Sequence, residues 1–351
     1  MNSKRTILFI LVWCGVALSV PYLALNLFFA DRKLDDRLEQ FYERADKIEA
    51  LSLGSSHTRD LHFPSMGLNG YSFADDGGDI EIAEYKLRRI VGYTPALRYV
   101  FLTVGPGFLS YNRISGVPGE FPGDYIRYTP PGQQFSSFNP RDIYWSIRAW
   151  LLGIRSDVIL ANRLSREFLR NAIRRSAGND GEKHDECQFR DNPADHPHED
   201  GILDGFARIP IASHCMTPEF EALDALRRVE MIERSLRDNP DTVTENLEYL
   251  KRMSGLLKAH GARLVIVISP TSPRYFDHEG LHALWETEWP VLKDFAAQQD
   301  ALILDRHEMF FDMPYDTQNN WFSDPNHLTY EGARIFSRAI GEDLEKRLES
   351  E

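Results

Sequence analysis

The chain alternates short, almost wholly apolar runs with longer segments of helical periodicity. Two of the runs, Tyr99–Val104 and Leu264–Ile268, have the β-branched, aromatic and leucine content of strands that are buried on both faces. Such strands belong to parallel sheets whose faces are covered by helices, and the chain supplies helical segments between them. We therefore predict an α/β fold, in which right-handed crossovers build a three-layer, doubly wound, mostly parallel sheet.

The other predicted elements complete this alternation. We predict further strands at Ile48–Leu53 and Ala301–Asp305, and helices at Asp79–Val91, at Thr242–His260, within Leu281–Gln299, and at Tyr330–Leu348. Thr242 and Glu245 form a capping-box pattern at the start of the second of these helices, and Gly261 ends it.

The N-terminal region contains a long uncharged segment. Residues 6–30 carry no charged side chain, and as a helix they would span roughly 37 Å at about 1.5 Å per residue, enough to cross a bilayer. A cleaved signal peptide usually has an apolar core of only about 7–15 residues and a small-x-small site, whereas this segment ends in Leu27-Phe28-Phe29-Ala30. We therefore predict an uncleaved N-terminal transmembrane helix.

Basic residues flank this segment on both sides, so their charge decides its orientation only weakly. Because single N-terminal anchors commonly present such a domain outside the cytoplasm, we predict a cytoplasmic N terminus and an exported body, either periplasmic or extracellular.

The rest of the chain divides into a charged connector and one large domain. Residues 1–30 contain the membrane anchor, residues 31–47 have the apolar spacing of an amphipathic stalk helix, and residues 48–351 form the α/β domain. A long insertion at about 110–235 contains aromatic, helical and polar parts. Cys187 and Cys215 both lie in it, and whether they form a disulfide is left open, because geometry decides pairing.

The composition excludes some classes of function. A formal net charge of −13 argues against a general nucleic-acid-binding protein, since neutralising phosphates needs a basic surface. Histidines and cysteines of the insertion have spacings that fit no familiar zinc pattern, and we predict neither a metal nor a cofactor; they are His184, Cys187, His196, His198, His214 and Cys215. Aromatic residues of the insertion can cover core or stack on sugars; they are Tyr125, Tyr128, Phe135, Phe138, Tyr144 and Trp145.

Two short motifs, far apart in the chain, contain the parts of a nucleophilic site. Gly54-Ser55-Ser56 follows the first predicted strand, and Asp324-Pro325-Asn326-His327 precedes the last predicted helix. In open α/β sheets chemistry gathers at the carboxyl ends of the strands, so we expect both motifs at one edge. A histidine three residues after an aspartate lets one turn hold both, so that the aspartate orients the imidazole toward a serine. His57 is expected to point away from Ser56 and stays a candidate for substrate contact.

These motifs resemble those of the SGNH/GDSL hydrolases and acyltransferases. The first block of that family reads Gly-Asp-Ser, with its third residue as the nucleophile, and the last block reads Asp-x-x-His, followed by leucine and a helix. The resemblance extends over residues 48–348 and depends on these two blocks. It implies an SGNH-hydrolase-like, flavodoxin-like fold and the catalytic residues Ser56, His327 and Asp324.

The resemblance also implies where the oxyanion donors lie. The family uses the backbone N–H of a glycine after its second strand, which corresponds here to Gly77 or Gly78. After its third strand the family has an asparagine in a Gly-x-Asn-Asp block, whereas this chain has Gly105-Pro106-Gly107. Losing one such donor typically costs about 2.7–4 kcal/mol of transition-state stabilisation. Either the N–H of Gly107 substitutes for it, or the protein is a slow or specialised catalyst.

A Gly-Ser-Ser block behind a membrane anchor is similar to exported polysaccharide-modifying relatives, such as alginate acetylation proteins and the protein that transfers D-alanine to teichoic acids. The resemblance implies an O-acyltransferase that modifies an envelope or secreted polysaccharide through an acyl-Ser56 intermediate, with a polysaccharide or an acylated small molecule as its substrate. It implies a membrane-bound O-acyltransferase as a partner. Two alternatives stay open: a carbohydrate or lipid esterase, and a non-catalytic glycan-binding scaffold.

Overall fold

The computed structural model describes residues 40–74, 78–111, 217–314 and 321–350. Contacts divide the chain into one unit of Met1–Glu43 with Gly119–Arg170 and another of Arg44–Pro118 with Asn171–Glu351, and the described elements belong almost entirely to the second. The predicted anchor, Gly77 and most of the predicted insertion, with its cysteines, histidines and aromatic residues, lie outside the described residues. Within the described ranges, no helix is both long and apolar enough to cross a membrane.

Five parallel strands form the central sheet. In chain order they are β1 (Ala50–Leu53), β2 (Gly70–Ser72), β3 (Tyr99–Val104), β4 (Arg263–Ile268) and β5 (Leu302–Asp305). Their spatial order is β2-β1-β3-β4-β5, and every neighbouring pair is parallel. This order places the carboxyl end of β1 where the winding reverses, which is where doubly wound sheets bind their ligands. The predicted α/β fold with a parallel sheet is confirmed.

Besides short 3₁₀ helices and a helical segment at residues 40–44, the described part of the chain contains six α-helices and a hairpin. The helices are α1 (Ile80–Ile90), α2 (Pro218–Asp238), α3 (Thr242–His260), α4 (Pro273–Phe276), α5 (Glu279–Gln299) and α6 (Tyr330–Ser350), and the antiparallel hairpin consists of β6 (Phe322–Asp324) and β7 (His327–Leu328). The four strands and four helices predicted for the α/β domain begin and end within two residues of observed ones; most of the predicted stalk helix lies outside the described residues. The pattern did not predict β2 as a strand, and α2 occupies the last part of the predicted insertion.

The start of α3 differs from the prediction. Asp241, not Thr242, is the N-cap, and its side chain makes no capping hydrogen bond. Thr242 Oγ1 instead donates to the carbonyl of Asn239 at 2.6 Å, and Asn239 Nδ2 donates to Glu245 Oε2 at 2.9 Å. The predicted capping box was wrong because the preceding turn engages both of its members. The predicted end is confirmed, since Gly261 closes the helix at a φ of 79°.

Both faces of the sheet are buried. On one face Val265 of β4 belongs to a cluster that includes Phe336 and Ile340 of α6. Because successive strand side chains point to opposite faces, Leu102 of β3 and Ile266 of β4 lie on the other face. Both side chains are at most 1% exposed. Helices α1 and α3 pack on each other; α1 contacts β1, and α3 contacts β4. The sheet itself therefore offers no open polar face, and a site has to be built from the loops at the strand ends.

Candidate active site

Ser56 lies just beyond the carboxyl end of β1, in a tight turn that a glycine makes possible. Gly54 has a φ of 101°, which L side chains rarely adopt, and a Cβ there would lie 3.3 Å from Leu102 Cδ2. The chain then forms a 3₁₀ helix over Ser56–Asp60, which we call the Ser56 turn. The hydroxyl is thus presented above a strand that is buried between two neighbours.

Three side chains form a hydrogen-bonded relay at this edge. Ser56 Oγ lies 2.7 Å from His327 Nε2, and His327 Nδ1 lies 2.7 Å and 3.0 Å from the two carboxylate oxygens of Asp324. Because a carboxylate only accepts hydrogen bonds, we assign the imidazole proton to Nδ1, which leaves Nε2 to accept the serine proton. The side chain of His327 is 14% exposed and that of Asp324 only 5%, so the relay opens to solvent at its serine end.

The hairpin β6–β7 positions both the aspartate and the histidine. Asp324 and His327 pair across it, with Pro325 and Asn326 as the turn between them. The N–H of Asn326 donates to Asp324 Oδ1 at 2.9 Å, and the carbonyl of Pro325 accepts from the N–H of Ser272 at 2.8 Å. The carboxylate is therefore held by its own turn, and the turn is held by the loop that follows β4.

The Ser56 turn connects the nucleophile to the other parts of this edge through three successive side chains. Thr58 Oγ1 accepts from the N–H of Thr103 in β3 at 3.1 Å. Arg59 Nε donates to the carbonyl of Ala74 at 3.1 Å, and Asp60 Oδ2 accepts from the N–H of Leu328, next to His327, at 3.2 Å. Sequence reasoning missed these residues; the run of polar side chains after Ser56 was the available signal.

His57 occupies a position that sequence reasoning did not anticipate. Its ring stacks on the His327 ring, with a centroid distance of 4.5 Å and an interplanar angle of 22°. Its Nδ1 lies 3.3 Å from Ser55 Oγ. The two histidines, far apart in sequence, therefore form one layered pair beside the nucleophile.

Two of the predicted oxyanion glycines are described, Gly78 just before α1 and Gly107 after β3. Gly78 is buried next to Asp79, the N-cap of α1, whose carboxylate accepts from the N–H of Ile82 at 2.8 Å. Gly107 follows β3 with a φ of 78°, and a Cβ there would overlap Ile232 of α2. Glycine at 107 is thus favoured by its backbone conformation, and any larger residue would also have to displace the Ile232 side chain. The roles of Gly78 and Gly107 as oxyanion donors stay predictions.

The loop that carries Gly107 is anchored by two buried side chains. Glu288 Oε1 accepts from the N–H of Ser110 at 2.8 Å, and Asn246 Nδ2 donates to the carbonyls of Leu109 and Tyr111 at 2.8 and 2.9 Å. Burial raises the pKa of the Glu288 carboxyl above its ordinary value of 4.5, against the opposing effect of the hydrogen bonds that it accepts.

We expect Glu288→Gln to change how stability depends on pH. A carboxyl whose pKa is raised by folding stabilises the folded state below its unfolded pKa of 4.5, and that stability is lost as the pH rises through the folded pKa. The free energy of unfolding of Glu288→Gln should therefore increase relative to wild type as the pH rises from about 4.5 through the folded pKa of Glu288. Urea unfolding at several pH values measures this. Glu286→Gln, at an exposed position of α5, is the control, and an equal trend in both variants would contradict the assignment.

Gly332 fixes the junction between the hairpin and α6. It lies in the first turn of α6, where its N–H donates to Thr329 Oγ1 at 3.1 Å. A Cβ at this position would overlap the backbone carbonyl of Trp321, the residue before β6. The close approach of these two backbones therefore sets where the hairpin, and with it Asp324 and His327, sits relative to α6.

We expect Gly332→Ala to destabilise the protein by about 1–3 kcal/mol, because the overlap is with backbone and can be relieved only by moving the hairpin. The matched control is Gly255→Ala in α3, where a Cβ would meet no atom within 4 Å. That change should stabilise by about 0.5–1 kcal/mol, since alanine is the better helix former. Urea unfolding of the full-length chain gives both values. An unchanged free energy of unfolding in Gly332→Ala would show that the hairpin can move away from α6 without cost.

Helix α2 brings a second carboxylate close to the relay. Asp224 Oδ2 accepts from Asn326 Nδ2, in the hairpin turn, at 3.1 Å. Burial, followed by the neighbouring Asp324 carboxylate, raises the pKa of Asp224. The helix thus supports the hairpin turn at one end and packs on Gly107 through Ile232 further along. Among the described residues, no three His, Cys, Asp or Glu side chains are grouped to hold a metal ion.

Comparison with known proteins gives one partial match. A family model of a domain of unknown function matches residues 216–349, which is less than half of the chain. No curated protein matches the chain. The matched stretch begins next to α2 and ends within α6. It therefore contains the histidine and the aspartate of the relay, and not its serine.

Proposed function

We propose that this protein is a serine-dependent enzyme of acyl esters with an SGNH-hydrolase-like fold, and that it transfers acyl groups onto an envelope or secreted polysaccharide. The observation that carries the proposal is the relay itself. A serine hydroxyl, an imidazole and a largely buried carboxylate are in line at hydrogen-bond distances of 2.7 Å each, which is the arrangement that activates a serine nucleophile.

In the proposed mechanism, Ser56 Oγ attacks the acyl carbonyl while His327 Nε2 takes its proton. Asp324 accepts from Nδ1 and stabilises the imidazolium that forms. Backbone N–H groups near Gly78 and Gly107 hold the oxyanion. His327 then gives the proton to the departing alkoxide, which leaves an acyl-Ser56 ester. A hydroxyl of the acceptor attacks this ester, again with His327 as the base, and the serine is restored.

Transfer to a sugar hydroxyl is favoured over hydrolysis for two reasons. The anchor predicted at residues 6–30 would keep the site at the membrane surface, close to envelope glycans. The family's asparagine is absent from the Gly105-Pro106-Gly107 block, which removes one oxyanion donor and argues against a fast general esterase. A carbohydrate or lipid esterase is the alternative within the same chemistry, with water as the acceptor.

We further propose that the catalytic domain is exported and that a membrane-bound O-acyltransferase supplies its acyl groups from across the membrane. A glycan-binding scaffold without catalysis is the remaining alternative. It is disfavoured because binding alone would not need a serine and an imidazole aligned at 2.7 Å.

Covalent capture tests the proposal. The full-length protein, in detergent, is treated with a fluorophosphonate, and its mass should rise by one phosphonyl group that peptide mapping assigns to Ser56. Labelled acyl donor is then supplied with and without a glycan acceptor. Acyl appearance on the glycan supports transfer, whereas hydrolysis at a rate unaffected by glycan supports the esterase. If the folded protein takes up no covalent label, the result supports the non-catalytic, glycan-binding scaffold.

A further inference from the structure

We propose that His57 is a positioning residue, which holds the imidazole of His327 in its working orientation by ring stacking. The kinetic consequence of this role depends on the proposed function, whereas the ring contact itself does not. The two rings lie 4.5 Å apart and within 22° of parallel. This is close enough for extensive van der Waals contact between their faces.

The stack restrains a movement that the relay leaves open. The hydrogen bonds of His327 to Ser56 and Asp324 are made at Nε2 and Nδ1, both in the plane of the ring. They resist sliding within that plane, but they resist tilting about the line between the two nitrogens only weakly. A second ring against one face blocks this tilt, and so keeps Nε2 directed at Ser56 Oγ.

His57 lies in a segment whose position is fixed by hydrogen bonds. It belongs to the Ser56 turn, in which Thr58 is hydrogen-bonded to β3 and Asp60 is hydrogen-bonded to β7. Its Nδ1 lies 3.3 Å from Ser55 Oγ. The turn that carries the nucleophile therefore also carries the surface against which the base rests, so serine and histidine keep one geometry together.

The restraint acts at the step in which His327 takes the serine proton, after the substrate has bound. Its loss should therefore lower kcat and leave KM nearly unchanged.

Two substitutions separate stacking from hydrogen bonding. His57→Phe keeps an aromatic face but loses the nitrogen near Ser55, whereas His57→Asn keeps a polar group but loses the ring. We expect His57→Phe to retain kcat within about threefold. We expect His57→Asn to lower kcat about tenfold or more at nearly constant KM, on a p-nitrophenyl ester, since a misplacement of about 1 Å can cost about 100-fold. A drop in His57→Phe as large as in His57→Asn, or wild-type kcat in both, would overturn the proposal.

A second readout does not require activity. In full-length protein labelled with ¹⁵N-histidine, the His327 ring signals are assigned by their loss in His327→Gln. We expect them to be unchanged in His57→Phe and shifted or broadened in His57→Asn. If the wild type neither labels with fluorophosphonate nor turns over, but these shifts appear, the proposed function fails and the positioning role stands. If the wild type is active and His57→Asn leaves the signals unchanged, the positioning role alone fails.

Discussion

Ser56→Ala is expected to reduce the turnover of an activated acyl ester by about 10⁴-fold or more, because no acyl-enzyme can form without its hydroxyl. The residual rate should come from the oxyanion donors and substrate binding alone. Folding should be unaffected, since the change removes one oxygen from a turn that is held by the side chains of Thr58, Arg59 and Asp60. Steady-state kinetics of the full-length variant, with its unfolding midpoint measured in parallel, provides the test.

Ser55→Ala is the matched control for this prediction. The two serines are adjacent, yet Ser55 Oγ lies near His57 Nδ1, and Ser56 Oγ lies 2.7 Å from the base. We expect Ser55→Ala to cost less than about tenfold, through a looser His57 ring. The opposite result, with Ser55→Ala inactive and Ser56→Ala active, would assign the nucleophile to Ser55 and reject the relay as the catalytic unit.

The sheet was predictable from sequence because its long strands are buried on both faces. Apart from Thr103 and Arg263, β3 and β4 are wholly apolar, as strands buried on both faces of a parallel sheet are. β2 is different, with only Gly70, Tyr71 and Ser72. It exists as a strand because it pairs with β1 and because Gly70 lets the ring of Phe63 lie against its backbone, where a Cβ would overlap that ring. Neither cause is visible in local sequence.

The candidate site shows the same division between local and distant information. Asp324 and His327 could be paired from sequence because one turn holds both, and the strand end with Ser55 and Ser56 could be added because strand ends share an edge. The choice of Ser56 over Ser55 came from the family resemblance. The stack of His57 on His327 and the bond from Asn326 to Asp224 join segments far apart in the chain. Such contacts depend on the side-chain rotamers and helix packing of the folded protein, and the spacing of residues in the sequence predicts neither.

Asp324→Asn is the other substitution expected to have a large effect, because it changes the tautomer of the base. The new amide side chain would still accept the N–H of Asn326 through its oxygen, which in the wild type is a 2.9 Å bond to Asp324 Oδ1. Its amide nitrogen would then face His327 Nδ1 and donate to it. The imidazole proton would move to Nε2, where it blocks acceptance of the serine proton. We expect kcat to fall by about 10³–10⁴-fold with KM little changed.

Two further variants show whether the tautomer, rather than the lost charge, causes this effect. Asp224→Asn removes the second carboxylate beside the hairpin but leaves the Asp324–His327 bonds intact, and it should cost less than about tenfold. The double variant Ser56→Ala/Asp324→Asn should be no slower than Ser56→Ala alone, because members of one catalytic unit are strongly non-additive. Equal losses of kcat in Asp324→Asn and Asp224→Asn would instead mean that the negative charge near His327 matters and that the tautomer of His327 does not. Additive losses in the double variant would separate Asp324 from the serine mechanism, and the relay would then be a structural network.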